Sequence, residues 1–416
     1  MLKSTILSNG LEVVSEYLPD APSVTIGLWN NVGACHEQEH EHGLAHLLEH
    51  MLFKGTKKRS ALDIAQTVDN MGAYMNAYTS KENTSYYLRC LSEDSFQCLD
   101  ILADIIQNSE FSDIELEKEK KVIEQEIALY LDTPEDLVDD DLYEVAFGQN
   151  SMGRTILGTQ HSLQSFDKKS LNNFIKYQYT TKNVKLVLVG NIDHDELCKR
   201  TEALFDLNKG EINPKPKIDL SRDKVFRDKD LEQAHIQIGF EGCSYLDPDY
   251  YVGQLYNILL GHGDSSYLNQ LIREEHGLAY TVYSYHSGYN DTGLINLYAG
   301  TSPEDAYQCY KLMCNSVIEM PKTLKEDDLN KAKKQLKASL LMGLEKSFNR
   351  ADHWGCQLTQ YGKTFDLQTT LDHINRVTFD ELQDFSQKLS SKDHALAVVG
   401  PKQDIMIDAF NFNRVK

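Results

Sequence analysis

The sequence has no paired cysteines, no excess of basic residues and no long apolar run near its start, and each lack removes a class of protein. Residues 1–10 lead into a strand-like pattern without the apolar core that a signal peptide or a spanning helix needs, so neither is expected. Lys and Arg number 42 against 63 Asp and Glu, a formal charge of -21. That balance argues against non-specific nucleic-acid binding and against attachment to anionic membranes. An acidic surface suits basic substrates, although acidity by itself mostly indicates solubility. The eight cysteines, at 35, 90, 98, 198, 243, 309, 314 and 356, form no Cys-x-x-Cys, which argues against a cysteine zinc site or a redox pair. They read as reduced thiols in a cytoplasmic protein. What is left is ordinary for a globular chain, 41% hydrophobic and 25% charged. At 416 residues it is too long for one core and implies two or more domains.

The most informative stretch is His42-Gly-Leu-Ala-His46-Leu-Leu-Glu49-His50-Met-Leu-Phe53. On a helix, His46 and His50 are one turn apart on one face, and Leu44, Leu47, Leu48, Met51 and Leu52 supply apolar surface to bury it. Two imidazoles so placed can close on one metal ion at the roughly 2.0–2.1 Å of Zn–N bonds. Glu49 lies on the same side, within reach of a water at the metal. A catalytic site of this kind needs a third ligand and a carboxylate base as well, and His-x-x-Glu-His supplies all but the third ligand. The alternative is a histidine-rich amphipathic helix end, since His36, His40 and His42 crowd the same region.

Along the chain, Ser4–Ser8 and Leu11–Glu16 alternate around Asn9-Gly10, a strong hairpin signal. Strands are expected at 24–29, 74–79, 84–90 and 184–189, and helices at 61–71, 99–107, 113–131 and 163–177. The proline- and lysine-bearing run 207–221 reads as a linker. Beyond it the pattern restarts. Val24-Thr-Ile-Gly-Leu resembles His235-Ile-Gln-Ile-Gly-Phe, and Leu186-Val-Leu-Val-Gly resembles Leu396-Ala-Val-Val-Gly. Both pairs are offset by nearly the same length, with glycines at 27 and 239 and at 190 and 400. One α+β unit present twice explains this, coincidence between short apolar strands being the alternative. The helix after the second strand, 250–260, carries no His-x-x-Glu-His, so only the first half is expected to hold metal.

The 113–131 helix is the best donor of a third ligand. Leu116, Ile123, Ile127 and Tyr130 fall within about 60° of one another and define its buried face. Glu126 and Glu119 sit on the edge of that stripe, whereas Glu117 and Glu124 point toward water. An ionised carboxylate on a buried edge is costly unless it is paired or binds a metal. Lys118 and Lys120 point elsewhere on the wheel, so Glu119 and Glu126 need another partner.

Gly43-x-x-His46-x-x-Glu49-His50, Phe53-x-Gly55-Thr56 and Glu119-x-x-Val122-Ile123-x-x-Glu126 together resemble the pitrilysin/insulinase family of zinc peptidases. Within it the chain is similar to the processing peptidases and their bacterial relatives, over essentially its whole length. The resemblance implies two similar α+β domains, each a mostly antiparallel sheet with helices on one face, facing each other across a cleft. The expected bounds are 1–208 for the zinc domain, 209–223 for the linker and 224–416 for the second domain. It implies one Zn2+ per chain on His46, His50 and Glu126, with Glu49 as general base and Glu119 behind the ligands. Substrate would lie along Asn76-Ala77-Tyr-Thr79 as an added strand, near Phe53. Leu271-Ile-Arg273 and Gly277-Leu-Ala-Tyr280 resemble the segment whose Arg and Tyr reach the substrate; on residue pattern alone they would be surface and core positions. Asp136 and Asp140 fall where the family's processing peptidases grip an arginine near the cut, a solvated acidic run being the alternative. The implied function is hydrolysis of unfolded peptides, with basic residues favoured near the cleavage site. A cytoplasmic homodimer without nucleic-acid or membrane partners is expected. The other class considered is a non-catalytic core or assembly subunit; such family members lose the metal motif, which here is complete.

Overall fold

The computed structural model describes residues 1–148, 150–211, 218–402, 410, 412 and 414–416. Its strands are β1 (Leu2–Ile6), β2 (Glu12–Tyr17), β3 (Val24–Asn30), β4 (Tyr74–Thr79), β5 (Thr84–Cys90), β6 (Val184–Gly190), β7 (Lys224–Asp228), β8 (Ala234–Glu241), β9 (Ala279–Gly288), β10 (Gly293–Thr301), β11 (His394–Gly400) and β12 (Arg414–Val415). Its first helices are α1 (Leu44–Met51), α2 (Ala61–Asn70), α3 (Ser95–Asn108), α4 (Asp113–Leu131), α5 (Pro134–Phe147), α6 (Gln160–Ser165), α7 (Lys168–Gln178) and α8 (His194–Leu204). They are followed by α9 (Tyr250–Gly261), α10 (Ala306–Thr323), α11 (Glu326–Gly343), α12 (Ser347–Tyr361), α13 (Leu367–Arg376) and α14 (Phe379–Ser390).

The chain divides into two compact units. The first comprises Met1–Ile127, Arg154–Pro216 and Met342–Thr364. Its sheet has the order β1-β2-β6-β3-β5-β4, antiparallel throughout except for β2 beside β6. Gly10, at φ +95°, turns β1 into β2, and the Asn9 side chain accepts from the Leu11 N–H. β3 is buried along its whole length because both faces of the sheet are covered. Alternation sends Ile26, Leu28, Leu88, Leu186 and Leu188 into the core shared with α1, α3 and α7. It sends Val14, Trp29, Tyr87, Val187 and Val189 to the other face, where Ala351, Trp354 and Leu358 of α12 meet them. A Cβ on Gly355 would come within 2.2 Å of the Trp29 indole, so α12 approaches at backbone distance.

The second unit comprises Ala128–Gly153, Lys217–Leu341 and Phe365–Lys416. Its sheet order is β12-β7-β11-β8-β10-β9, with β7 parallel to β11. α9, α10 and α14 cover the face built on Ile236, Ile238, Leu396 and Val398. α5 covers the other, with Leu142 against Gly239 and Asp139 accepting from Gln237.

The expected duplication is present: β3 and β8, and β6 and β11, hold the same places in their sheets. Three details differ from expectation. Helices lie on both faces of each sheet, and the added helix comes from the other half of the sequence, α12 in the first unit and α5 in the second. The units therefore do not follow a single cut near 209–223; residues 212–217 of that expected linker lie outside the described residues. The helix expected over 163–177 is two, α6 and α7, because Asp167 caps the second by accepting from the Ser170 N–H at 2.8 Å. All eight cysteines are free, and no helix among the described residues is long and apolar enough to cross a membrane.

Candidate metal centre

α1 starts immediately after Gly43, whose φ of +93° is left-handed and whose Cβ, if present, would lie 2.7 Å from Gly158 Cα. The first turn is capped from outside the helix. Glu37, buried, accepts from the Gly43 N–H at 2.9 Å through Oε2 and from the Ala45 N–H at 2.7 Å through Oε1. Burial pushes the Glu37 carboxyl up to about 8, against the opposing pull of those two bonds. Leu44, Leu47, Leu48 and Met51 face the core. That leaves His46, Glu49 and His50 on the helix's other side.

The His46 and His50 rings stand 4.7 Å apart. Burial, with His50 beside it, drives the His46 imidazole down to about 3, so it is neutral and its lone pair is available to a metal. Glu126 of α4 reaches both rings, Oε1 lying 3.7 Å from His46 Nε2 and Oε2 3.6 Å from His50 Nε2. Those gaps are too long for hydrogen bonds. They are close to the roughly 3.3 Å between two ligands of a tetrahedral ion held at about 2.05 Å. One donor atom from each of the three lies within 4.8 Å of the others, and among the described residues no other His, Cys, Asp and Glu group is so placed. The donor set, two imidazoles and a carboxylate, suits zinc.

Glu119, the other edge carboxylate of α4, lies behind His50. Its Oε2 is 3.2 Å from His50 Nδ1, and its Oε1 pairs with Lys54 Nζ at 2.7 Å. A proton on Nδ1 leaves Nε2 free toward Glu126. Lys54 escaped sequence reasoning because it comes from the loop after α1, outside the α4 wheel. Lys118 and Lys120 pair with Glu115 and Glu117 on their own helix, at 2.7 and 2.8 Å. Glu124 accepts from Gln164 at 2.6 Å, away from the rings. Glu49 is half-buried; its carboxyl is raised by that burial and partly lowered by Thr79, which donates to Oε2 at 2.5 Å.

The neighbouring histidines do not join the cluster. His36 Nδ1 accepts from the Gly33 N–H, His42 Nε2 meets the Thr155 carbonyl at 2.9 Å, and His40 is exposed. Phe53 is partly buried on the core of the first unit, 6.3 Å from the Tyr86 ring. Asn76 and Ala77 lie on β4, the edge strand, where Asn76 Oδ1 accepts from the Ala77 N–H at 2.9 Å.

In the second unit, Arg273 sits in a π-helical segment, Asn269–Glu275, with its guanidinium 5.0 Å from the ring centre of Tyr280, which is 80% exposed. Asp136 and Asp140 share one face of α5, the first exposed and the second half-buried. Their acidic neighbours are paired with the sheet, although Glu135 is itself exposed. Glu135 accepts from Tyr298, Asp139 from Tyr285 and Gln237, and Asp141 from Arg227 at 2.6 Å. The acidic run is thus a helix docked on tyrosines of its sheet, a pairing that the run alone did not reveal.

Residues 12–160 match the family model described as insulinase (peptidase family M16), and residues 165–336 match that of the peptidase M16 inactive domain. A protein of Bacillus subtilis named an uncharacterized zinc protease is 37% identical over 408 residues, covering 96% of this chain and 98% of its own. The mitochondrial-processing peptidase subunit beta of Neurospora crassa is 32% identical over 439 residues, covering 100% of this chain and 90% of its own. Among solved structures, a peptidase M16 inactive domain from Pseudomonas fluorescens superposes with a TM-score of 0.89 at 19% identity, covering 97% of this chain and 98% of that one. A protease from Helicobacter pylori gives 0.87 at 22%, covering 96% and 100%. These last two likenesses speak to the fold alone.

Proposed function

Since the chain belongs to the pitrilysin/insulinase family, peptidase family M16, we propose that it is a zinc-dependent endopeptidase acting on extended, unfolded peptides. One observation carries the reading: His46, His50 and Glu126 converge within 4.8 Å on the side of α1 that also presents Glu49. These three would hold the ion. Bound there, zinc supplies Lewis-acid polarisation of the scissile carbonyl and makes water a better nucleophile near neutral pH. Glu49 takes the proton from the attacking water and delivers it to the leaving amine, a task suited to a carboxyl whose burial lifts it above the ordinary carboxylate range. Glu119, steadied by Lys54, holds the proton on His50 Nδ1. The edge strand at Asn76-Ala77 receives the substrate backbone, beside Phe53, which requires an extended chain. We assign Arg273 and Tyr280 to the substrate and its developing oxyanion, and Asp136 and Asp140 to an arginine near the scissile bond. A homodimer is part of the proposal, and native mass determination checks it.

A non-catalytic subunit is the competing class, and the complete residue set tells against it. Metal analysis together with a peptide library tests the choice. One zinc per chain and cleavage are expected, with Glu49→Gln keeping the metal while losing at least about a thousandfold in kcat. A zinc-loaded wild-type chain that cleaves nothing in the library, under conditions where it is folded, removes the catalytic reading.

A further inference from the structure

Glu49 is served by a residue of the substrate strand. Thr79, the last residue of β4, donates its hydroxyl hydrogen to Glu49 Oε2 at 2.5 Å. Alternation puts Met75, Ala77 and Thr79 on the α1 side of β4, and Met75 and Ala77 pack on the core that holds Leu44 and Leu48. Tyr78, one residue away, faces the opposite side, where its hydroxyl donates to Asp352 of α12 at 2.7 Å. Asp352 also accepts from Trp29 Nε1 at 3.0 Å. The chain beyond Thr79 is tied down too: the Ala34 N–H donates to the Ser80 carbonyl at 3.0 Å and the Cys35 N–H to that of Lys81 at 2.7 Å. β4 is therefore pinned on both faces and at its end, while its outer edge pairs with no strand among the described residues.

We propose that Thr79 is the positioning residue of the Glu49 base, and that it ties the base to the register of the edge strand that receives substrate. This rests on the reading of Glu49 as base and of β4 as the substrate strand. A glutamate on a helix has three rotatable side-chain bonds, and a hydroxyl has one hydrogen to give. Spending that hydrogen on Oε2 fixes the carboxylate plane and leaves Oε1 as the free acceptor. A one-residue slip of β4 would place Tyr78 where Thr79 stands and face every side chain the wrong way. A peptide paired on this edge therefore meets the base at one fixed offset along its backbone. Thr79 touches no reacting atom; its effect passes through Glu49.

The test compares Thr79→Val, Thr79→Ser and Glu49→Gln in the full-length zinc-loaded chain, on one fluorogenic peptide. Thr79→Val should keep its zinc and its cooperative unfolding, melting within a few degrees of wild type, lower kcat by about 10- to 100-fold, the scale of a misplaced catalytic group, and change KM by no more than about threefold. Thr79→Ser should return kcat to within a few-fold of wild type. Thr79→Val added to Glu49→Gln should cost nothing further, because the base it positions is gone. If Thr79→Val does not fold, Thr79→Ala against Thr79→Ser isolates the same hydroxyl. Wild-type kcat in the variant lacking the hydroxyl, no rescue by serine, or a further loss in the Glu49→Gln background would each overturn the inference while leaving the base assignment intact. Full activity of Glu49→Gln itself would overturn both.

Discussion

α1 and α9 follow corresponding strands, β3 and β8, of two sheets with the same order, and each packs against its sheet's edge strand. α9 does this with apolar side chains, burying Val252, Leu255, Tyr256, Leu259 and Leu260. α1, shorter, presents His46, Glu49 and His50 on the side away from its core. The scaffold evidently stands without the chemistry. What α1 has in addition is a set of supports for its polar groups: Glu37 at its first turn, Thr79 on Glu49, and Glu119 with Lys54 behind His50. A buried polar side chain is costly unless its groups are met, so those partners belong to the candidate metal site along with the three residues that would hold an ion; the buried His46 Nδ1 has no hydrogen-bond partner among the described residues.

The largest expected break in the comparison is loss of the metal. Glu126→Gln and His50→Ala should each lose zinc and all measurable turnover, making α1 as inert as α9. Glu124→Gln, which touches Gln164 and neither ring, should keep both. Metal analysis on dialysed protein decides this, and full zinc in Glu126→Gln would remove the third ligand.

Next come the exchanged helices. A fragment of residues 1–208 contains every proposed ligand but lacks α12, and so exposes Val14, Trp29, Tyr87, Val187 and Val189. It should fail to unfold cooperatively, in contrast to the whole chain, by calorimetry or chemical denaturation. Gly355→Ala tests the same contact more gently. With its Cβ 2.2 Å from a rigid indole it should cost about 1–3 kcal/mol or more. Gly239→Ala, which meets the flexible end of Leu142 at 3.3 Å on the α5 side, should cost less.

A change of specificity should be smaller again. Asp136→Asn with Asp140→Asn should lower kcat/KM for peptides with arginine near the cut by about tenfold or more, the value of a lost charge-assisted bond. Neutral peptides should be hydrolysed as before. An unchanged arginine preference would leave α5 as a structural helix only.

Local periodicity explains what could be read in advance. The His-x-x-Glu-His face and the edge position of Glu126 follow from spacing within one element, and the duplication from two pairs of strand patterns at nearly equal offsets; the structure brings His46, His50 and Glu126 together and puts β3 with β8 and β6 with β11 in matching places. Thr79 with Glu49 and Lys54 with Glu119 join different elements, 30 and 65 residues apart, and nothing in either segment announces the other. The exchange of α5 and α12 is equally silent, because an amphipathic helix does not say which sheet it will cover. The pairing of Glu135, Asp139 and Asp141 cannot be read from the acidic run, for which a solvated stretch is the alternative reading, because Tyr298, Tyr285 and Arg227, which meet them, lie on strands far along the chain.

Glu37 offers the finest distinction between the two helices, through pH. Its carboxyl is held up at about 8 in the folded chain against an ordinary value of 4.5. Between those two values the folded state binds the proton that the unfolded state has released. Stability from this group is therefore fully present below about 4.5, declines as pH rises, and is gone above about 8. Two forces oppose each other at the site: burial disfavours the charge, whereas two N–H groups at a helix N-terminus favour it. Glu37→Gln cannot ionise, and its amide offers one acceptor oxygen where the carboxyl offers two, so it should melt below wild type at pH 5. The gap should then narrow by about 3 °C or more as pH rises to 8, on the scale of a few degrees per kcal/mol. The measurement belongs on metal-free protein, so that zinc binding adds no pH dependence of its own. A gap that stays constant from pH 5 to 8 would mean that Glu37 is ionised throughout, and that the α1 N-terminus rather than burial sets its charge.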